Sequence, residues 1–196
     1  MSSINTIAKV VGLTSAAWLS GNISALSVIS IPAVVNIKQD SSLSNAHAVR
    51  LWQQNYQRGA SQNPPIALGA AASLGFLAWS LRNLRTPTSI GLRPSALFAA
   101  AVVSTMAILP FTIVFMRATN NKLLALAAKA KKDEMSVTET EDVEGLLERW
   151  AALNRLRGVL PMVGAVWSIK LDSRLHFEPG SLERSSSLYD DKGYDV

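Results

Sequence analysis

Residues 95–116 read SALFAAAVVSTMAILPFTIVFM, a run of 22 residues without a charged side chain. A helix of this length and polarity crosses the hydrocarbon layer of a membrane, which is roughly 30 Å thick. Arg117 follows the run at once, and Pro110 inside it predicts a kink. Residues 10–37 and 60–81 are also uncharged. These runs predict an integral, multi-pass membrane protein.

The overall composition favours several membrane helices over one apolar globule. Charged residues make up 17% of the 196 residues, whereas about a quarter of a soluble domain is charged. Residues 1–132 contain twelve basic side chains and one acid, a net charge of +11, while residues 133–196 contain seven basic side chains and thirteen acids, a net charge of −6. The basic half indicates loops that lie against anionic lipid headgroups. No nucleic-acid motif is present, so we do not predict a nucleic-acid partner.

Four apolar segments predict an all-α fold, a four-helix transmembrane bundle that occupies residues 1–171. Pro64 and Pro65 mark the predicted start of the second span. Residues 38–63, which precede them, carry an amphipathic helical pattern and predict a helical connection between the first two spans. Residues 172–196 are polar and serine-rich, which predicts a disordered C-terminal tail. The four predicted spans cover residues 10–31, 64–81, 95–116 and 154–171.

Polar side chains at the ends of two predicted spans are the candidate functional groups. Trp150, Asn154 and Arg157 are separated by four and three residues, so they lie on one face of a helix. An arginine on the inward face of such a helix is costly unless it is paired or functional, but anchoring of Trp and Arg at the membrane interface is an alternative explanation. Asn120 follows the third span, where it can bind a ligand or a neighbouring helix.

The remaining titratable candidate is His47, on the predicted connection between the first two spans. A histidine titrates near neutral pH and can accept a proton, although a solvated loop histidine is the alternative. The second histidine, His176, is far away in the sequence, and the chain contains no cysteine. We therefore predict neither a metal site nor a haem site. The common nucleotide-binding and hydrolase motifs are absent, and no cofactor-binding residue is predicted.

Three segments resemble, in their order and spacing, the fungal anthrone oxygenases, also called noranthrone monooxygenases. The segments are WQQNYQRG at residues 52–59, PFTIVFMRATNNKLLALA at residues 110–127 and LLERWAALNRLRGVLPMVGAV at residues 146–166. The likeness extends over about residues 5–171. It implies a four-helix membrane protein of aromatic polyketide biosynthesis that oxidises a tricyclic anthrone to an anthraquinone with molecular oxygen. It also implies that the reaction needs no organic cofactor or metal.

The resemblance suggests roles for the candidate residues. An anthrone oxygenase needs a base for the ring methylene, donors for the developing oxyanion and a flat apolar slot. We expect the donors to be Arg157, Asn154 and Asn120, and the slot to be lined by Trp52, Tyr56 and Trp150. The base is expected to be His47, Tyr56 or a phenolate of the substrate itself. The implied partners are an anthrone, membrane lipid and other enzymes of a polyketide pathway. A non-catalytic multi-pass membrane scaffold or partner protein is the alternative function.

Overall fold

The computed structural model describes residues 3–40, 43–84, 91–137 and 141–169. Four long helices make up these residues. Helix α1 comprises Ser3–Ala25, a π-helical turn at Leu26–Ser30 and Ile31–Gln39. Helix α2 is Asn45–Ser80, and helix α4 is Val143–Ile169. Helix α3 runs over Pro94–Lys132, and a short 3₁₀ turn, Glu134–Ser136, follows it. The all-α prediction is therefore confirmed for the described residues, and the predicted disordered tail, residues 172–196, lies outside them.

Helix α3 is irregular in its middle, where Pro110 predicts a kink. Its segments are Pro94–Met106, Ile108–Phe111, a π-helical turn at Thr112–Met116 and Arg117–Lys132. Pro110 has no backbone N–H and cannot bond the carbonyl of Met106, four residues earlier. The first regular segment ends at that residue. Helix α3 nevertheless continues beyond the predicted apolar span to Lys132.

Helix α2 differs from the prediction, because the helical connection and the second span are one uninterrupted helix. Pro64 and Pro65 lie inside Asn45–Ser80 instead of starting a new element. Packing on both sides of the proline pair explains the continuity, since Trp52 before it and Leu74 after it are fully buried. A proline inside a helix removes one backbone hydrogen bond, and the packing on both sides of the pair offsets this loss. Ser44 caps the start of α2, since its side chain accepts a hydrogen bond from the His47 N–H.

Neighbouring helices run antiparallel, as their hydrogen bonds show. From α1 to α2, Ser80 Oγ donates to Asn5 Oδ1 at 3.0 Å and Asn22 Nδ2 donates to Asn63 Oδ1 at 2.7 Å. Low numbers on α1 thus pair with high numbers on α2. From α1 to α4, Ser20 Oγ donates to the Gly158 carbonyl at 2.7 Å. Short connections between consecutive helices produce this up-down-up-down order.

The two larger apolar clusters of the described residues lie at different heights of the bundle. The larger one lies towards the α1–α2 connection and includes Trp52, Leu123 and Trp150, all nearly inaccessible to solvent. The smaller one lies towards the chain's N-terminal end and includes Leu77 and Phe98. Space is left between these clusters, and the candidate site lies there.

Two of the helical stretches in the described residues, Ser3–Gln39 and Pro94–Lys132, are long and apolar enough to cross a membrane. They contain the first and third predicted spans. The side chains of α3 that face outwards are apolar up to the end of the predicted span. Val103, Ile113 and Val114 are each more than 60% exposed.

Candidate functional site

All four helices contribute to one cavity of about 240 Å³ in the middle of the bundle. We call it the central cavity. Its walls are mostly aliphatic and include Leu19, Ile23, Ala67 and Ile108. The bundle leaves this space because α3 is irregular at this level and because the residues of α2 that line the cavity include small ones, such as Gly59. Apolar walls with a few polar groups are typical of sites for small aromatic ligands.

Arg157 is the charged group of the central cavity. Its Nη1 donates to Thr112 Oγ1 at 3.2 Å, and Thr112 Oγ1 in turn donates to the Ile108 carbonyl at 2.7 Å. The Arg157 Nε is buried without a hydrogen-bond partner. No carboxylate among the described residues pairs with this guanidinium. The arginine is therefore oriented by a neutral hydroxyl, and donors remain free for an anionic or carbonyl oxygen.

An aromatic chain forms the wall beside Arg157. The rings of Trp52 and Tyr56 stack with centroids 5.1 Å apart, as the four-residue spacing on α2 predicts. The ring of Trp150 meets Trp52 edge to face at 5.9 Å. Tyr56 and Trp150 line the central cavity, while Trp52 lies behind them and is fully buried. Two of the three predicted slot residues thus face the cavity, and the third holds them in place.

Asn120 supports this wall rather than contacting the cavity. Its Oδ1 accepts a hydrogen bond of 2.9 Å from the Trp150 indole N–H. Asn120 is buried and does not line the cavity. Of the two interpretations open for it, an interhelical hydrogen bond is the one that the structure contains.

Asn154 is also a structural contact, although it lies on the predicted face between Trp150 and Arg157. Its Nδ2 donates to the Ile23 carbonyl at 2.9 Å and to Ser27 Oγ at 2.7 Å. These acceptors flank the start of the π-helical turn in α1. Asn154 is fully buried and outside the lining of the central cavity. It fixes α4 against α1 and thereby sets the position of Arg157, which follows three residues later.

His47 lies away from the central cavity, with an exposed side chain in the first turn of α2. Its Nδ1 is 2.9 Å from Ser44 Oγ and 2.8 Å from a carboxylate oxygen of Glu134. Nine residues separate it from Tyr56, which is about 13 Å along a helix axis. The structure therefore does not bring His47 together with the other candidates, and it matches the alternative of a solvated histidine.

Two threonines of α3 belong to the cavity but were not predicted from the sequence. Thr112 orients Arg157, and Thr105 lines the cavity seven residues earlier, on the same face of the helix. Thr112 lies in the segment of residues 110–127 that resembles the anthrone oxygenases, and this position could have indicated a role in the site. Thr105 had no such signal, because a threonine in an apolar run ordinarily bonds the carbonyl of its own helix.

The sequence model of a family described as anthrone oxygenase matches residues 52–167. The chain belongs to the anthrone oxygenase family. It is 33% identical to an anthrone oxygenase of Aspergillus fumigatus, over 85% of this chain and 92% of the relative. An anthrone oxygenase of Claviceps purpurea is 32% identical, over 80% and 83% of the two chains. No solved structure matches the chain.

A relative named as a monooxygenase agrees with this assignment. The noranthrone monooxygenase of Aspergillus flavus is 28% identical, over 80% of this chain and 69% of the relative. The family resemblance predicted from the three motifs is therefore confirmed. The matched region of this anthrone oxygenase family member includes the cavity residues Tyr56, Thr112, Trp150 and Arg157.

Proposed function

We propose that the chain is a membrane-bound oxygenase that converts a polyketide anthrone to an anthraquinone with O₂ in secondary-metabolite biosynthesis. The observation that carries this proposal is a single guanidinium, that of Arg157, in a mostly apolar cavity walled by Tyr56 and Trp150. A flat aromatic ketone fits such walls through offset stacking. The family supplies the reaction class, and the cavity supplies a place where an oxyanion of that ketone can be stabilised.

The reaction replaces the two hydrogens of the anthrone methylene by one oxygen atom. Loss of a methylene proton gives an enolate whose carbanion form is electron-rich enough to reduce O₂. Transfer of one electron and recombination form a carbon–oxygen bond, which gives a hydroperoxide after protonation. Removal of the second hydrogen as a proton then breaks the O–O bond and releases water. One O₂ is consumed, one oxygen enters the quinone, and the four electrons balance without another reductant.

The cavity residues divide these tasks. Arg157 donates hydrogen bonds to the enolate oxygen, which carries more negative charge after deprotonation than the ketone does before it. We assign the acceptance of the methylene proton to the phenolic oxygen of Tyr56, because Tyr56 lines the cavity. We do not assign this step to His47, which lies outside the cavity. Trp150 holds the ring system, and its own orientation depends on Asn120.

The membrane location is part of the proposal and rests on the distribution of exposed side chains. On α3 the outward residues are apolar as far as Phe115, and charged Arg117 and Lys122 are exposed beyond it. Helix α2 has 36 residues and measures about 54 Å, longer than the roughly 30 Å hydrocarbon layer. We propose that the four predicted spans cross the bilayer and that the other half of the bundle extends into water.

The central cavity would then open near the membrane surface. Its outer rim consists of the exposed apolar residues Ala60 and Pro64 on α2 and Leu109 and Ile113 on α3. An anthrone dissolved in the bilayer would enter between these two helices without passing through water. The polar N-terminal half of α2 ends at this rim.

Oxygen labelling in membranes tests the proposal. Membranes from a host that expresses the chain, and membranes from the same host without it, would be given an anthrone under ¹⁸O₂. We expect quinone that contains one labelled oxygen to form several-fold faster with the chain, because anthrones also oxidise slowly by themselves. Tyr56→Phe should reduce the excess rate to the spontaneous level. Equal rates in both membranes, or release of the protein by carbonate washing, would contradict the proposed oxygenase or its membrane location.

A further inference from the structure

Thr105 is the second polar group of the central cavity that lacks a partner. Its side chain is fully buried, it lines the cavity, and its hydroxyl has no hydrogen bond in the described structure. Burial of an unsatisfied hydroxyl costs free energy, and almost all buried polar groups of proteins are paired. Such a group in the wall of a cavity requires an explanation.

Among the described residues, Thr105 has the one fully enclosed hydroxyl without a hydrogen-bond partner. Thr112 bonds the carbonyl four residues earlier at 2.7 Å, and so does exposed Thr14. Ser104, the direct neighbour of Thr105, donates to the Leu160 carbonyl. A helical threonine has two accessible side-chain rotamers, and the bond to the preceding turn selects one of them. Because Thr105 does not make that bond, its hydroxyl remains available to a ligand.

The spacing along α3 shows which part of a ligand this hydroxyl would reach. Seven residues separate Thr105 from Thr112, which corresponds to two turns of the same helix face and about 10 Å. Thr112 holds Arg157, so the guanidinium and Thr105 mark two ends of the cavity. Between them the wall is apolar, with Met106, Ile108 and Leu109. The ketone oxygen of an anthrone is on the central ring, so the relevant length runs from that oxygen to a hydroxyl on the far edge of a terminal ring. With one hydrogen bond of about 3 Å at each end, this length is comparable to the distance along α3.

We propose that Thr105 is a specificity-determining residue that hydrogen-bonds a hydroxyl on a terminal ring of the substrate, while Arg157 binds the ketone oxygen. This inference rests on the proposed anthrone oxygenase function and narrows its substrate class to anthrones with a hydroxyl on the ring edge away from the ketone. A site that hydrogen-bonds a substrate hydroxyl discriminates against the analogue that lacks it, because the protein group is otherwise left unpaired.

Two anthrones that differ in one hydroxyl test this proposal. One has two hydroxyls flanking the ketone, and the other has a third hydroxyl on a terminal ring. Their affinities for the full chain in detergent would be measured without oxygen, by quenching of tryptophan fluorescence, and their turnover would be measured separately with oxygen. We expect the chain to bind the trihydroxy compound about tenfold more tightly, the usual effect of one satisfied hydrogen bond.

The variants separate recognition from folding. Thr105→Val should remove this preference and leave the affinity for the dihydroxy compound within about twofold, while Thr105→Ser should keep it. Because Val leaves no unsatisfied group, the melting temperature of ligand-free Thr105→Val should be equal to or above that of the parent chain. Thr14→Val, which alters an exposed hydroxyl far from the cavity, is the matched control and should keep the preference.

The outcomes distinguish the two proposals. An unchanged preference in Thr105→Val, or no preference in the parent chain, would overturn the role of Thr105. A parent chain that prefers the trihydroxy compound but oxidises neither compound would leave that role standing and overturn the oxygenase function.

Discussion

Replacement of Arg157 by glutamine is the most direct perturbation of the central cavity. Glutamine is close in length and remains a hydrogen-bond donor, but it carries no charge. The Arg157 guanidinium has one hydrogen bond, to Thr112, and its Nε is unpaired. Replacement of the guanidinium therefore removes little stabilisation from the folded protein, whereas an oxyanion bound in the cavity would lose much of its stabilisation. We expect a large loss of activity with little or no loss of stability.

The expected magnitudes follow from this imbalance. Removal of a donor from a preorganised oxyanion site lowers kcat about 100- to 1,000-fold. The one lost protein hydrogen bond is worth about 1 kcal/mol. A half-buried cation without a carboxylate partner carries a desolvation cost of at least similar size, which the neutral side chain avoids. The free energy of unfolding should therefore stay within about 1 kcal/mol of the parent value or rise.

The assay compares Arg157→Gln with Arg155→Gln in the same membranes. Arg155 is exposed on another face of α4, so its replacement controls for the loss of one positive charge. Anthrone turnover would be followed by quinone absorbance after subtraction of the spontaneous rate, and stability by thermal unfolding in detergent. We expect Arg155→Gln to retain activity within about twofold, as for an ordinary surface substitution. If Arg157→Gln retained activity while its melting temperature fell sharply, Arg157 would be a packing residue, and our assignment would fail.

Three further predictions concern the surroundings of the cavity. Asn154→Leu removes the two hydrogen bonds that Asn154 makes to α1 and should lower the unfolding free energy by about 1–3 kcal/mol, measured by thermal melting. An unchanged stability would contradict the role of Asn154 in fixing α4 against α1. Gly158→Ala should destabilise by about 1–3 kcal/mol, because an added Cβ would approach Ser24 Oγ to 2.8 Å; a melting temperature equal to that of the parent would refute this contact. Ala60→Trp should narrow the rim and lower kcat/KM without a loss of stability, whereas equal kinetics would place the entrance elsewhere.

The helices could be predicted from the sequence because their signals are local. A long uncharged run is a property of neighbouring residues, and so is the spacing that places Trp150, Asn154 and Arg157 on one face. The continuity of α2 was not predictable in the same way. Pro64 and Pro65 are strong local signals for a new element, but tertiary packing on both sides overrides them. Such packing involves residues far apart in the sequence.

The roles of the polar residues were predicted less well, for a related reason. Spacing assigns a residue to a helix face, but it does not show whether another helix offers a partner at that height. Asn120 accepts a hydrogen bond from the Trp150 indole, and the Asn154 amide nitrogen donates to groups of α1, although Asn154 Oδ1 has no partner. Both were grouped with Arg157 as donors to a ligand. His47 has a suitable chemistry but lies at another height of the bundle.

The presence or absence of a hydrogen-bond partner within the protein separates structural from functional polar groups in the bundle. Amides and hydroxyls inside an apolar fold stabilise it when they bond one another, and evidence for ligand binding comes from groups that the fold leaves unsatisfied. Arg157 and Thr105 have such unsatisfied atoms, and both line the central cavity. Trp52 Nε1 and Asn154 Oδ1 are also unpaired, but neither residue lines the cavity. Location and lack of a partner together, rather than either alone, therefore identify Arg157 and Thr105 as the residues that a bound ligand would complete.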